Sequence, residues 1–166
     1  MEGDYERKPL IQDECFETQP KLSPDGQWIA YMSNESGQME VCVQSFPEID
    51  EGRWQISRDG WESPVWDPKR HELFYFSMKD NSIMAVTVDT GTTFSAGTPH
   101  KLFFISPYSG GNGFPGTPWD IHPIDKRFLM LKPVSPAEQS GAAPAPSKII
   151  FVTNWFEELK ERVPVG

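Results

Sequence analysis

The sequence predicts an all-β chain of small antiparallel sheets stacked face to face. Three observations lead there: an internal repeat of strand, proline-led turn and apolar strand; the spacing of that repeat; and a density of turn residues that long helices do not survive. Pro occurs 16 times and Gly 13 times in 166 residues. Each interior proline removes a helical hydrogen bond and clashes with the preceding turn, whereas short strands joined by turns accommodate it. Aromatic residues reach 13% although apolar residues are only 37%. A core built from few, large side chains follows, and a chain disordered throughout is excluded.

Three stretches align on proline: PKLSPDGQWIAY from Pro20, PVWDPKRHELFY from Pro64 and PWDIHPIDKRFLML from Pro118. The second starts 44 residues after the first and the third 54 after the second. In Ser23-Pro24-Asp25-Gly26 the proline sets φ at the second turn position and glycine takes the site that wants positive φ. The turns after Asp67 and His122 keep the proline and lose the glycine.

In chain order, residues 8–12 read as the outermost strand of a neighbouring blade. A first blade covers 13–57, with strands at 17–21, 28–33, 39–46 and 53–57. A second covers 58–105, with strands at 60–63, 72–77, 82–88 and 101–105. A third covers 114–154, with strands at 117–120, 127–132 and 148–154. The strands after the turns are apolar at nearly consecutive positions, as strands packed on both faces are. Residues 155–162 combine helix formers with Trp155, Phe156 and Leu159, and Pro164 stops them, so a short C-terminal helix is expected to cover a sheet edge. A four-stranded unit recurring at this period is that of a β-propeller blade. The alternative is a β-sandwich, which does not require the whole unit to recur.

LSPDGQWIAYMSNESG from Leu22, followed by EVCVQSFP from Glu40, resembles the repeat of TolB-like, WD-repeat-like β-propellers. It is most similar to the propeller region at the C-terminal end of bacterial serine/threonine protein kinases and to their stand-alone relatives. ELFY at Glu72, MAV at Met84, FSAGTP at Phe94 and NWFEELK at Asn154 fit the same pattern, over about residues 8–160. The resemblance implies a six-bladed ring and a binding or sensing platform. It implies no kinase activity: the chain has no Gly-rich nucleotide loop, His-Arg-Asp loop or Asp-Phe-Gly motif.

Three blades do not close a ring, since rings run from about four blades to eight. Either the chain is part of a longer propeller, or two copies form a homodimer that closes a six-bladed ring, residues 8–12 of one completing the last blade of the other.

A net charge of −9 and a pI of about 4.8 disfavour nucleic acid and anionic membrane surfaces as partners. Cys15 and Cys42 form neither a disulfide framework nor a zinc site; whether they pair is left open. The first residues are charged with no apolar stretch after them, so no signal peptide is expected, and no window is apolar enough for a transmembrane helix. The compartment stays open: cytoplasmic for a complete chain, extracytoplasmic for a piece of an exported one.

No catalytic constellation is legible. His71, His100 and His122 lack ligand spacing, so no metal or other cofactor is expected. Asp25, Asp67 and Asp125 are what turns want. The glycine-rich stretch 109–116 lacks the Gly-Lys-Ser/Thr ending of a phosphate loop. Residues 135–147, rich in Ala, Pro and Ser, read as a loop. A propeller takes its ligand at the channel mouth, where the inner strands begin. There the sequence offers Gln19, Lys21, Trp61, Glu62, Trp119 and Asp120 for a protein or peptide ligand. The two tryptophans alternatively pack between blades. The expected function is a non-catalytic binding module; the alternative is a hydrolase or lyase using the acids Glu62 and Asp120.

Overall fold

The computed structural model describes residues 9–11, 14–49, 52–58, 60, 63–69, 71–91, 93–106, 117–131 and 150–151. The described residues fold into three antiparallel sheets. The first runs β1 (Glu17–Leu22), β2 (Trp28–Ser33), β3 (Glu40–Ser45), β4 (Arg53–Gln55), in that order across the sheet. The second starts with β5 (Val65–Trp66), β6 (Glu72–Ser77) and the long β7 (Ser82–Thr90). Two strands share the far edge of β7: β8 (Phe94–Ala96) pairs with its last residues and β9 (His100–Phe104) with its first. The third sheet is β10 (Trp119–Ile121), β11 (Phe128–Met130) and β12 (Ile150–Phe151).

The three proline-led turns share one geometry. The residue before proline donates its N–H to the carbonyl five residues on: Ser23 to Trp28, Asp67 to Glu72 and His122 to Arg127, each at 2.8 Å. Its side chain then accepts a second N–H of the turn. Ser23 Oγ accepts from Trp28 (3.0 Å), Asp67 Oδ2 from His71 (3.4 Å) and His122 Nδ1 from Asp125 (3.5 Å). Three different side chains perform one task, that of a local acceptor holding a turn. Gly26, at φ 70°, supplies the left-handed position of the first turn, and Lys126, at φ 58°, that of the third.

Counted from these turns, the strands also share one facing. Side chains alternate between the two faces of a sheet. Trp28, Ala30, Val41, Val43 and Ile56 of the first sheet pack against Trp66, Leu73, Tyr75, Val86, Val88 and Phe94 of the second. The other face of the second sheet, through Phe74, Phe76, Ile83 and Ala85, packs against Trp119, Ile121, Phe128 and Met130 of the third. Ile29, Leu73 and Phe128 hold the same place after the turn. Leu73 and Phe128 both face the preceding sheet, while Trp28 and Phe74 face the following one. The chain is a stack of propeller-type blades, and the middle blade is buried on both faces.

Aromatic rings and indole N–H groups join the blades. Trp28 meets Trp54 at 5.6 Å between centroids and Phe94 at 5.3 Å, and Trp54 meets Phe94 at 5.2 Å. Trp28 Nε1 donates to Thr90 O of the second blade (3.3 Å), and Trp66 Nε1 of the second donates to Lys21 O of the first (2.8 Å). Between the second and third blades, Lys126 Nζ lies 3.0 Å from Asp67 Oδ2, and the Asp67 side chain is 0% exposed. Low dielectric favours such a contact, and its loss would leave a carboxylate in the interior.

Several expectations need correction. The first described strand of the middle blade is Val65–Trp66, whose side chains fill the two interfaces; of the expected strand 60–63, Gly60 and Ser63 are not in a strand and residues 61–62 lie outside the described residues. Phe94–Ala96 is a strand the repeat pattern did not mark. Residues 9–11, the described part of the expected strand 8–12, are not in a strand; Leu10 and Ile11 pack against Ile29, Tyr31 and Cys42. The edge strand 53–57 ends at Gln55, and Ile56 and Ser57 turn inward as buried side chains. The expected helix 155–162, the loop 135–147 and all of the strand 148–154 but residues 150–151 lie outside the described residues. Among the described residues, no helix is long and apolar enough to cross a membrane.

Trp28→Ala should cost about 3–5 kcal/mol, the usual range for emptying a large aromatic site. Urea denaturation followed by tryptophan fluorescence measures it; a loss below about 1 kcal/mol is what a solvent-exposed site would give. Lys126→Ala should cost about 1–3 kcal/mol by stranding the buried Asp67 carboxylate. Lys69→Ala, at an exposed turn position of the same blade, should stay within about 0.5 kcal/mol by the same assay.

Candidate functional site at the inner strands

β1, β5 and β10 begin their blades; stacking sets β1 beside β5, and one side-chain contact reaches from β1 to the segment before β10. The feature that shapes this region is a bulge in β1. Thr18 pairs with Met32 and Lys21 with Ala30, so two residues of β1, Gln19 and Pro20, stand opposite one residue of β2. Pro20 has no N–H to lose from a ladder and fits an unpaired bulge position. Gln19 takes φ 53°, the left-handed region that few non-glycine residues enter. A bulge re-aims the side chain it carries. Gln19 Oε1 accepts a hydrogen bond from Thr117 Oγ1, just before β10, at 3.5 Å. That contact spans blades one and three, 98 residues apart in sequence.

The six expected site residues fare differently. Gln19 is half-buried at this convergence. Lys21 is exposed, and its carbonyl holds the Trp66 indole, so its backbone is anchored while its ammonium is in solvent. Asp120 is exposed, and its Oδ1 accepts the Ile121 N–H at 2.8 Å, which orients the carboxylate. Trp119 is not at a mouth. It is 3% exposed, stacks on Phe128 at 6.0 Å, and belongs to the interface between blades two and three. The physical reason is alternation along β10: Trp119 and Ile121 point into the interface, so Asp120 points out. Trp61 and Glu62 lie outside the described residues.

Sequence reasoning missed Thr117 as a partner for Gln19. It also missed Trp66, which the pattern treated as a plain strand residue. A tryptophan just before a turn has an indole N–H to satisfy, and that need was the available signal. Among the described residues, no cluster of three His, Cys, Asp or Glu side chains is placed to share a metal ion.

A concavity lies elsewhere. About 320 Å³ lies over the outer strands of blade one, lined by Glu35, Ser36, Glu40, Cys42, Arg53 and Gln55. Arg53 pairs with Glu35, lies over the Tyr31 ring at 5.9 Å and reaches Cys42 Sγ at 3.2 Å. Glu40 is buried and accepts hydrogen bonds from Gln38 and Ser57. Burial, and then the Glu40 and Glu17 carboxylates, push the Cys42 thiol up to about 12. A nucleophilic cysteine needs the opposite, a thiolate near neutrality. This cavity is lined by a neutral thiol and internally paired charges.

Cys42 should therefore resist a disulfide-exchange reagent near pH 8 in the folded protein and react on unfolding, measured against a Cys15→Ser background. Its folded value lies above the ordinary free thiol's value of about 8.5. The unfolded chain thus releases this proton first as pH rises. The stability tied to the neutral thiol is complete below about pH 8.5 and declines from there toward about 12. Denaturation midpoints against pH, compared with Cys42→Ala, give that slope.

No family model matches the chain, and no curated protein matches it. Among solved structures, the chain is similar to TolB from Acinetobacter baumannii, at 12% sequence identity and a TM-score of 0.35. The match covers 80% of this chain and 40% of that one, so the chain spans well under half the length of the structure it matches.

Proposed function

We propose that this chain is a non-catalytic binding module of TolB-like propeller type that takes its ligand where the inner strands converge. The observation that carries the reading is the Gln19–Thr117 hydrogen bond, which links the first strand of blade one to the segment that leads into the first strand of blade three. Gln19, Lys21 and Asp120 present an amide, an ammonium and an oriented carboxylate along these inner strands. That mixture of donors and acceptors suits the backbone and side chains of a protein segment better than a uniformly charged polymer, in keeping with the chain's net charge of −9. The sequence resemblance to propellers attached to bacterial kinases supports an interaction or sensing role of the same kind.

The binding reading is preferred to hydrolysis or elimination. That chemistry would call on Glu62 and Asp120; Glu62 lies outside the described residues, and Asp120 commits one oxygen to the Ile121 amide. Two carboxylates of distinct roles are what such a reaction demands.

Screening an immobilised peptide library and ranking the retained sequences by fluorescence anisotropy tests the reading. The triple variant Gln19→Ala, Lys21→Ala, Asp120→Ala should weaken the best peptide at least tenfold, about 1.4 kcal/mol, while Lys69→Ala leaves it unchanged. Equal affinity in wild type and triple variant would remove the inner strands as the site.

A further inference from the structure

The two interfaces inside the chain follow one rule. Places equivalent to Ile29 and Tyr31 are filled by Leu73 and Tyr75 in blade two and by Phe128 and Met130 in blade three, and each set is covered by the preceding blade. In blade one, Ile29, Tyr31 and Cys42 are covered instead by Leu10, Ile11 and Phe46, all only partly buried. Residues 9–11 thus stand on the face where a preceding blade would stack, yet they belong to no strand.

The opposite end of the stack is open in a complementary way. Leu131 holds the place of Met32 and Phe76, which are 2% and 4% exposed; Leu131 is 41% exposed. Leu129, in the place of the fully packed Ala30 and Phe74, is only half-buried. The third sheet also lacks an outer strand among the described residues. β4 lies on β3 and β9 on β7, but among the described residues no strand pairs with the outer edge of β12. One end of the stack offers a face and a short unpaired segment. The other offers the matching face and a strand edge that no described residue pairs with.

We propose that a second copy of this chain occupies both. Residues 9–11 of each copy add to β12 of the other as its fourth, antiparallel strand. The blade completed in this way stacks on Ile29, Tyr31 and Cys42. Pro9 is tolerated there because an outermost strand has one edge free of hydrogen bonds. The interface continues the register that the chain already uses twice, and a two-fold axis satisfies both ends at once, whereas a non-closing repeat would leave open edges and grow into fibres.

Light scattering on the wild-type protein should give twice the 18.9 kDa of one chain across the micromolar range. Ile11→Asp and Leu131→Asp should each halve that mass with the far-ultraviolet circular dichroism retained, and Ile124→Asp, at an exposed turn away from both faces, should leave it unchanged. If either variant unfolds, hydrogen exchange on wild type replaces it: amides of residues 10, 11, 150 and 151 should be protected at high concentration and lose protection together on dilution. A wild-type mass of 18.9 kDa throughout, a mass that climbs with concentration without a plateau, a dimer that survives both Ile11→Asp and Leu131→Asp, or exchange at these amides independent of concentration would each overturn the proposal.

Discussion

The contact among Trp28, Trp54 and Phe94 is the one on which the architecture turns. Two rings come from blade one and one from the end of blade two, with centroids 5.2 to 5.6 Å apart. Such edge and tilted pairs are worth about 0.5–1.5 kcal/mol each beyond the area they bury. Their larger effect is geometric. Phe94 reaches the cluster because β7 extends to Thr90 and β8 folds back on it, and the Trp28 indole bonds the Thr90 carbonyl at that bend. One small strand therefore locks two blades at a fixed distance. With that spacing set, β6 finds a facing sheet on both sides, and β2 and β11 each find one on the side turned toward it.

A second layer of constraint acts at the inner strands. Trp66 reaches back to the Lys21 carbonyl, and Lys126 reaches back to the buried Asp67, so polar links run from each later blade to the one before it. Both links use groups whose burial would be costly if unpaired. They tie the end of β5 to the end of β1 and the turn after β10 to the residue that follows β5. The bulge at Gln19 then directs an amide across to Thr117. The region proposed to bind ligand is thus a by-product of how blades are joined, with a backbone distortion in β1 as its one specialised feature.

Much of the fold was legible because the repeat carries its own chemistry. Residues 28–33 and 72–77 were bounded correctly as strands because a proline turn opens each and apolar residues fill it. The edge strands were less legible. β5 has only two residues and β8 only three, too few for a period to show. At the candidate site the sequence placed Asp120 and Gln19 on inner strands but could not say which of Trp119 and Asp120 points outward. That depends on a one-residue choice of register, which flips every side chain. Trp119 went into the interface because an indole buries far more apolar area there than a carboxylate would tolerate.

By itself the sequence determined the class of the fold, the number of repeated units, the turn that opens each, and the absence of a recognisable catalytic motif. These are properties of local chemistry: fixed φ at proline, turn acceptors at Ser23, Asp67 and His122, and strand-forming residues after them. Only the tertiary structure decided which face of each strand meets which neighbour, that Gln19 and Thr117 touch, that Lys126 neutralises Asp67, and that Cys42 lies beside two acids. Those facts depend on long-range packing, where side chains far apart in the chain compete for the same volume, and no local pattern encodes the winner.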